Sequence, residues 1–232
     1  MTSVDPGSTD RAVDASDDVW TVLRSASTIR RYRDDPVPTE VLRRCLEAAT
    51  WAPSGGNQQP WRFVVLESRS VRDIISRSAL RSWDEAKQFY GIADPPRDVA
   101  PDADARTRAH RAMRDYAETG GDAPVCLLFC VRALPGVGSE LLHGGSIFPA
   151  VQNFALAARA HGLGTAMSLW HTVFEDELRE AVGVPPDWQI AATVTAGWPR
   201  GRHREVRRKP LREVTACDSW ETPWSGSSGP RT

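Results

Sequence analysis

Ala52-Pro53-Ser54-Gly55-Gly56-Asn57-Gln58-Gln59-Pro60-Trp61, running directly into Arg62-Phe63-Val64-Val65, is the stretch on which the reading of this chain turns. Upstream, residues 39–51 place Val41, Leu42, Cys45, Leu46 and Ala49 on one helical face, and Pro53 with Gly55-Gly56 stops that helix. Downstream, residues 61–67 are a short β-branched run that predicts a buried strand. The ten residues between them join two elements that must pack, yet they are dense with amides and hydroxyls. By residue type they are either a polar loop with a Gly-Gly turn, or a rigid loop offering donors and acceptors to a planar heterocycle.

Working outward, residues 80–90 and 104–118 carry helical patterns, with a loop rich in Pro and Asp over 91–102. Val125-Cys126-Leu127-Leu128-Phe129-Cys130-Val131 is a continuous apolar strand, buried on both faces. Residues 147–161 predict a second strong helix, capped by Ser146, tolerating Pro149 in its first turn and ended by Gly162. A strand over 165–170 follows. Then come a capping box, Thr172-x-x-Glu175, for a short helix ended by Gly183, and a last strand over 190–198. Helices and strands interleave, so the class is mixed α/β or α+β. Residues 1–18 are polar and acidic and read as a disordered tail; 19–217 form one domain, and 218–232 an arm with Trp220 and Trp224.

The chain has 232 residues with 29 Lys+Arg against 30 Asp+Glu, a net charge of −1, which argues against nucleic-acid binding. No apolar run reaches membrane-span length, and the N-terminus lacks the apolar stretch of a signal peptide. Four cysteines (45, 126, 130, 217) are too few for a disulfide scaffold and point to a reduced, cytoplasmic setting. Nine Trp is an excess that hints at flat aromatic surface facing a ligand or a partner subunit.

Several chemistries are excluded by order and spacing. Gly162-Leu163-Gly164 follows a helix and precedes a strand, the reverse of a dinucleotide-binding turn, and no P-loop is present. The five histidines have no metal-ligand spacing. Cys126 and Cys130 share a strand face about 13 Å apart, too far for a disulfide. No strand precedes 225–229 to make a nucleophile elbow. Two features remain. Gln152-Asn153 lie mid-helix, where buried amides need partners or a ligand. Residues 200–212 carry six Arg and one Lys, either a solvated face or a site for phosphate or carboxylate.

Taken in order, Thr28-Ile29-Arg30-Arg31-Tyr32 with Pro36-Val37-Pro38, the 52–65 stretch, residues 149–165 (PAVQNFALAARAHGLGT), Gly197-Trp198-Pro199-Arg200 and Arg207-Arg208-Lys209-Pro210-Leu211 strongly resemble the nitroreductase-like FMN-dependent oxidoreductase family. The resemblance runs from about residue 28 to 211, and its most specific parts are 52–61 and 152–165. It implies an α+β, nitroreductase-like fold with a central, mostly antiparallel sheet flanked by helices. It also implies an intertwined homodimer with two FMN sites at the subunit interface and C-terminal segments reaching across, with Trp220 and Trp224 anchoring the tail on the partner.

Carried over by position, Thr28, Arg30 and Arg31 approach the flavin, with Arg30 at its pyrimidine edge. Two-electron reduction leaves negative charge near N1 and O2, which a fixed cation stabilises. Ser54, Asn57 and Gln152 contact the cofactor. Met167, Ser168 and Leu169 bring backbone near the ring's reactive edge, where an N–H reaches N5, and Arg208 binds the phosphate. No protein acid or base is needed for hydride transfer from NADPH or NADH to an electron-poor acceptor such as a nitroaromatic or quinone. Residues 80–102, with Trp83, Phe89 and Tyr90, are the expected lid, or else ordinary packing.

One departure stands out. The family's further arginines before the Thr-Ile-Arg triplet are replaced by Ala26 and Ser27, leaving Arg24, Arg31, Arg204 or Arg207 to supply that phosphate contact. Flavin destruction, dehalogenation, peptide-heterocycle oxidation and non-catalytic flavin sequestration are the competing activities. The Glu, Tyr and Lys of the dehalogenase lid find no matching spacing here.

Overall fold

The computed structural model describes residues 15–89, 92–93, 104–133 and 140–228. Among the described residues, six α-helices, α1 (Val19–Ser25), α2 (Thr39–Thr50), α3 (Arg69–Phe89), α4 (Ala105–Thr119), α5 (Glu140–Ala160) and α6 (Glu175–Val182), surround four strands, β1 (Trp61–Val65), β2 (Val125–Arg132), β3 (Gly164–Ser168) and β4 (Trp188–Gly197). The sheet order is β1-β2-β4-β3, and every neighbouring pair is antiparallel. This is the α+β architecture the resemblance implies.

β2 explains the layering. Its odd residues Val125, Leu127, Phe129 and Val131 pack with Cys45 and Ala49 of α2 and Ala150, Phe154 and Ala158 of α5. Its even residues Cys126, Leu128 and Cys130 pack with Ile74 and Ile75 of α3 and Leu178 of α6. Period-two alternation on a strand that is apolar throughout therefore requires a helical layer on each face. The Phe129 ring sits 4.7 Å from Phe63 and 5.6 Å from Phe154. Burying such rings is worth about 1.5–3 kcal/mol each. Cys126 and Cys130 are free, buried thiols whose pKa values burial raises to about 11. Among the described residues no helix is long and apolar enough to cross a membrane.

Several local expectations need correction. β1 is an edge strand and only partly buried. α1 is an additional helix, capped by Asp18, whose carboxylate accepts the Thr21 amide at 2.7 Å. α3 begins eleven residues before the expected start. α5 begins at Glu140, so Ser146 is no cap and Pro149 lies inside the helix. Ser146 instead accepts the Gly55 amide at 3.4 Å. The Thr172–Glu175 box does not form: residues 170–174 make a 3₁₀ turn, Phe174 occupies the N-cap of α6, and the Thr172 hydroxyl donates to the Leu169 carbonyl at 3.1 Å. Tyr90 and most of the 91–102 loop lie outside the described residues.

Candidate functional site

The segment between α1 and α2 crosses the end of the sheet. Thr28 bridges Thr165 in parallel, the Ile29 amide donates to the Thr165 carbonyl at 2.8 Å, and Tyr32 bridges Pro199. Gly164 permits this approach, because a Cβ there would stand 2.7 Å from Ile29 Cβ. Over the segment opens a cleft of about 200 Å³ lined by Thr28, Ile29, Arg30, Arg31, Ala112, Pro199, Gly201 and Arg202. A second cleft, of about 310 Å³, shares Arg30 and Arg31 and includes Asp115 and Tyr116.

The two arginines differ in kind. Arg31 donates to Asp115, which also accepts from Arg111. Arg30 makes no hydrogen bond or ion pair among the described residues. It is half-buried, and burial lowers its pKa from the ordinary arginine value while the Tyr116 and Tyr32 phenols act in the opposite sense. A desolvated cation without an anion is costly, and an electron-rich ligand edge relieves that cost.

The basic C-terminal segment runs past the same corner. The Arg200 amide donates to the Arg31 carbonyl at 3.1 Å and the Val206 amide to the Arg24 carbonyl at 2.8 Å. Arg207 and Arg208, both exposed, therefore follow directly on the strand-like contact with the last turn of α1. At the end of β3, Met167 and the following Leu169 are 47% and 50% exposed. Ser168 is fixed between them: its hydroxyl accepts the Trp170 amide at 3.0 Å and its carbonyl accepts the Thr193 hydroxyl at 3.1 Å. Thr28 and Arg30 thus lie by the start of β3, residues 167–169 at its far end, and Arg208 just beyond the contact with α1.

The 54–59 loop is built separately. The Ser54 hydroxyl accepts the Gln59 amide at 2.9 Å, and the Gln59 side chain donates to Asn57 Oδ1 at 3.2 Å. Gly56, Asn57 and Gln59 all have positive φ, 57°, 54° and 49°. For the two non-glycine residues this costs about 1–2 kcal/mol each. Such strain, held by a local hydrogen bond and left exposed to solvent, is characteristic of ligand-binding loops.

α5 measures how far this loop lies from the arginine corner. Ser146 touches Gly55, whereas Arg159 donates to the Ser25 hydroxyl at 2.8 Å, just before Thr28. Thirteen residues of helix separate these contacts, roughly 20 Å. The sheet agrees: Trp61 pairs with Val131 at one end of β2, while Thr165 pairs with Ala196 and Ala196 with Val125 at the other. Gln152 lies between, exposed on α5 and not a buried amide as expected; its neighbour Asn153 is satisfied by the Ala48 carbonyl at 3.2 Å. Of the lid residues, Phe89 is exposed, but Trp83 is 1% exposed and packs with Ala79, Ala117 and Trp170, so its role is packing.

The donor set fits FMN. A half-buried unpaired guanidinium suits the pyrimidine edge, and the exposed Arg207 and Arg208 of the basic C-terminal segment suit a phosphate. Three participants escaped the sequence reading: Asp115, Tyr116 and Thr195. Only Thr195 carries a signal, because a fully buried strand threonine requires a hydrogen-bond partner.

A sequence model of the Nitroreductase family matches residues 23–198. The 5,6-dimethylbenzimidazole synthase of Rhodospirillum rubrum is 33% identical over 183 residues, covering 75% of this chain and 79% of that protein. The 4-nitrobenzoate reductase of a Nocardioides species is 27% identical over 218 residues, covering 83% and 85%. Among solved structures, the FMN complex of a candidate nitroreductase from Desulfovibrio desulfuricans superposes with a TM-score of 0.61 at 26% identity, covering 89% of this chain and 99% of that one. With the family's sequence model spanning most of the chain and its fold reproduced, this protein belongs to the nitroreductase family.

Proposed function

We propose that the protein is an FMN-dependent NAD(P)H oxidoreductase whose flavin sites are each completed by two copies of the chain. The observation that carries this reading is Arg30, a half-buried cation with no anion of its own, set beside Thr28 and the exposed end of β3. When bound, FMN would supply the redox chemistry, accepting hydride from NADH or NADPH and passing two electrons to a flat, electron-poor acceptor such as a nitroaromatic or quinone. Arg30 holds positive charge at the pyrimidine edge, and Arg208 binds the phosphate. Thr28 and the backbone of 167–169 border the ring, and Met167 and Leu169 keep its reactive edge apolar. Ser54 and Asn57, about 20 Å away along α5, reach the flavin only from a second copy. Trp51 and Phe148 near that loop, and Trp20 and Leu23 on α1, are large apolar side chains left in solvent by a single chain, as a homodimer interface would leave them.

A second reading draws on the Rhodospirillum relative, whose named activity is benzimidazole synthesis: the chain would fragment its flavin instead of cycling it. One experiment separates these. Purified protein loaded with FMN is titrated anaerobically with NADPH and with NADH, then challenged with nitroaromatics, quinones or O₂ alone. Bleaching followed by recovery of the full flavin spectrum with an oxidant supports the oxidoreductase. Irreversible loss of flavin in O₂ supports fragmentation, and flavin that is never reduced leaves only a flavin holder. Failure to take up FMN contradicts all three.

A further inference from the structure

Arg30 is held by residues that make no direct approach to the cleft over Thr28. The Tyr32 hydroxyl donates to the Ile29 carbonyl at 2.6 Å and lies 3.2 Å from the Thr195 carbonyl. With that single proton committed, the Thr195 hydroxyl, 2.9 Å away, donates to the Tyr32 oxygen, and the Tyr116 hydroxyl, 3.1 Å from Thr195, donates to Thr195. Three hydroxyls thus form one directed chain from α4, across β4, to the peptide immediately before Arg30. Burial raises the Tyr116 pKa to about 12 and that of Tyr32 further, so both phenols keep the protons this chain needs. The residue beside Tyr116 does a second job: Asp115 pairs with Arg31, drawing that cation to α4 while Arg30 stays uncompensated.

We propose that Tyr116, Thr195 and Tyr32 are positioning residues that fix Arg30, while Asp115 compensates the charge of Arg31, and that together they set the charge presented to the flavin's pyrimidine edge. This rests on the FMN reading above. The consequence is a pair of opposite effects. Breaking the hydroxyl chain lets Arg30 drift and weakens stabilisation of the electron-rich flavin. Neutralising Asp115 releases a second cation and strengthens it. A network that served folding alone would move both in the same direction or move neither.

The test is the midpoint potential of FMN bound to the full-length wild type, Thr195→Val, Thr195→Ser, Tyr116→Phe and Asp115→Asn, with FMN affinity and melting temperature measured alongside. Thr195→Val and Tyr116→Phe should lower the equilibrium constant for two-electron reduction about tenfold, ~30 mV for a two-electron couple. Thr195→Ser, which keeps the hydroxyl, should restore the wild-type potential. Asp115→Asn should raise it by a smaller factor, because the Arg31 side chain is 53% exposed and its charge is screened. If Thr195→Val fails to fold, Tyr116→Phe and Asp115→Asn decide the matter by their opposite signs. FMN bound normally with unchanged potentials, or with shifts of one sign, overturns the positioning role alone. A wild type that takes up no FMN overturns the flavin reading and this inference with it.

Discussion

Thr28 and Ser54 stand at opposite corners of one sheet, Thr28 bridged to Thr165 on the edge strand β3 and Ser54 leading into the other edge strand, β1. On the proposed reading both contact the cofactor, and because one chain holds them apart, that reading requires a dimer in which each corner can be tested separately.

Ser54→Ala removes the acceptor that holds the Gln59 amide, in a loop where Asn57 and Gln59 already carry positive φ. Stability should fall by about 1 kcal/mol, the worth of one hydrogen bond. FMN affinity should fall about tenfold, because the loop no longer stays pre-organised. Thermal melts and flavin titration check the two effects independently.

Arg208→Ala should weaken FMN binding about tenfold or more while leaving riboflavin binding unchanged, since only FMN carries the phosphate. Equal losses for the two flavins would remove the phosphate assignment from Arg208. The exposure of Arg208 makes a large change in melting temperature unexpected.

Gly164→Ala places a methyl group 2.7 Å from Ile29 Cβ. The strand or the 28–32 segment must shift, at about 1–3 kcal/mol. Because the displaced residue adjoins Arg30, FMN affinity should fall with stability, as chemical denaturation and flavin titration would report.

His171 is buried, with Nε2 hydrogen-bonded to the Ile190 carbonyl at 3.0 Å, and burial lowers its pKa below the ordinary value of 6.5. Between the folded value and 6.5 the unfolded chain binds a proton that the folded chain does not. Stability should thus be fully present above pH 6.5 and decline as pH falls through that window. Denaturant unfolding at pH 7.5 and 5.5 should show a smaller pH-dependent loss for His171→Gln than for the wild type.

What was legible in the sequence followed from the strength of local patterns. β2 is apolar from Val125 to Val131, so its burial between two helical layers could be read directly. α1 could not: its seven residues turn Val19, Trp20 and Leu23 outward, and only Val22 and Ser25 are buried. Pro149 misled for a physical reason. Proline favours a first helical turn, but here the helix extends past it toward its N-terminus, and the preceding Ser146 serves the loop at Gly55. Arg30 and Ser54 could be named from the motifs that carry them. The 20 Å between their corners could not, because it depends on which ends of α5 receive Ser25 and Gly55. Asp115 and Tyr116 sit in a polar helix with no motif, and only the packed structure brings them to Arg31 and Thr195.

The central claim, that each flavin is held by two chains, is tested most directly by pairing two defective variants. Arg30→Ala and Asn57→Ala homodimers should each bind FMN poorly. In a purified heterodimer of the two, one site combines the intact Arg30 of one chain with the intact Asn57 loop of the other. That heterodimer should hold one tightly bound FMN per dimer. If it binds no more FMN than either homodimer, Arg30 and Asn57 do not meet across the interface, and the account is contradicted.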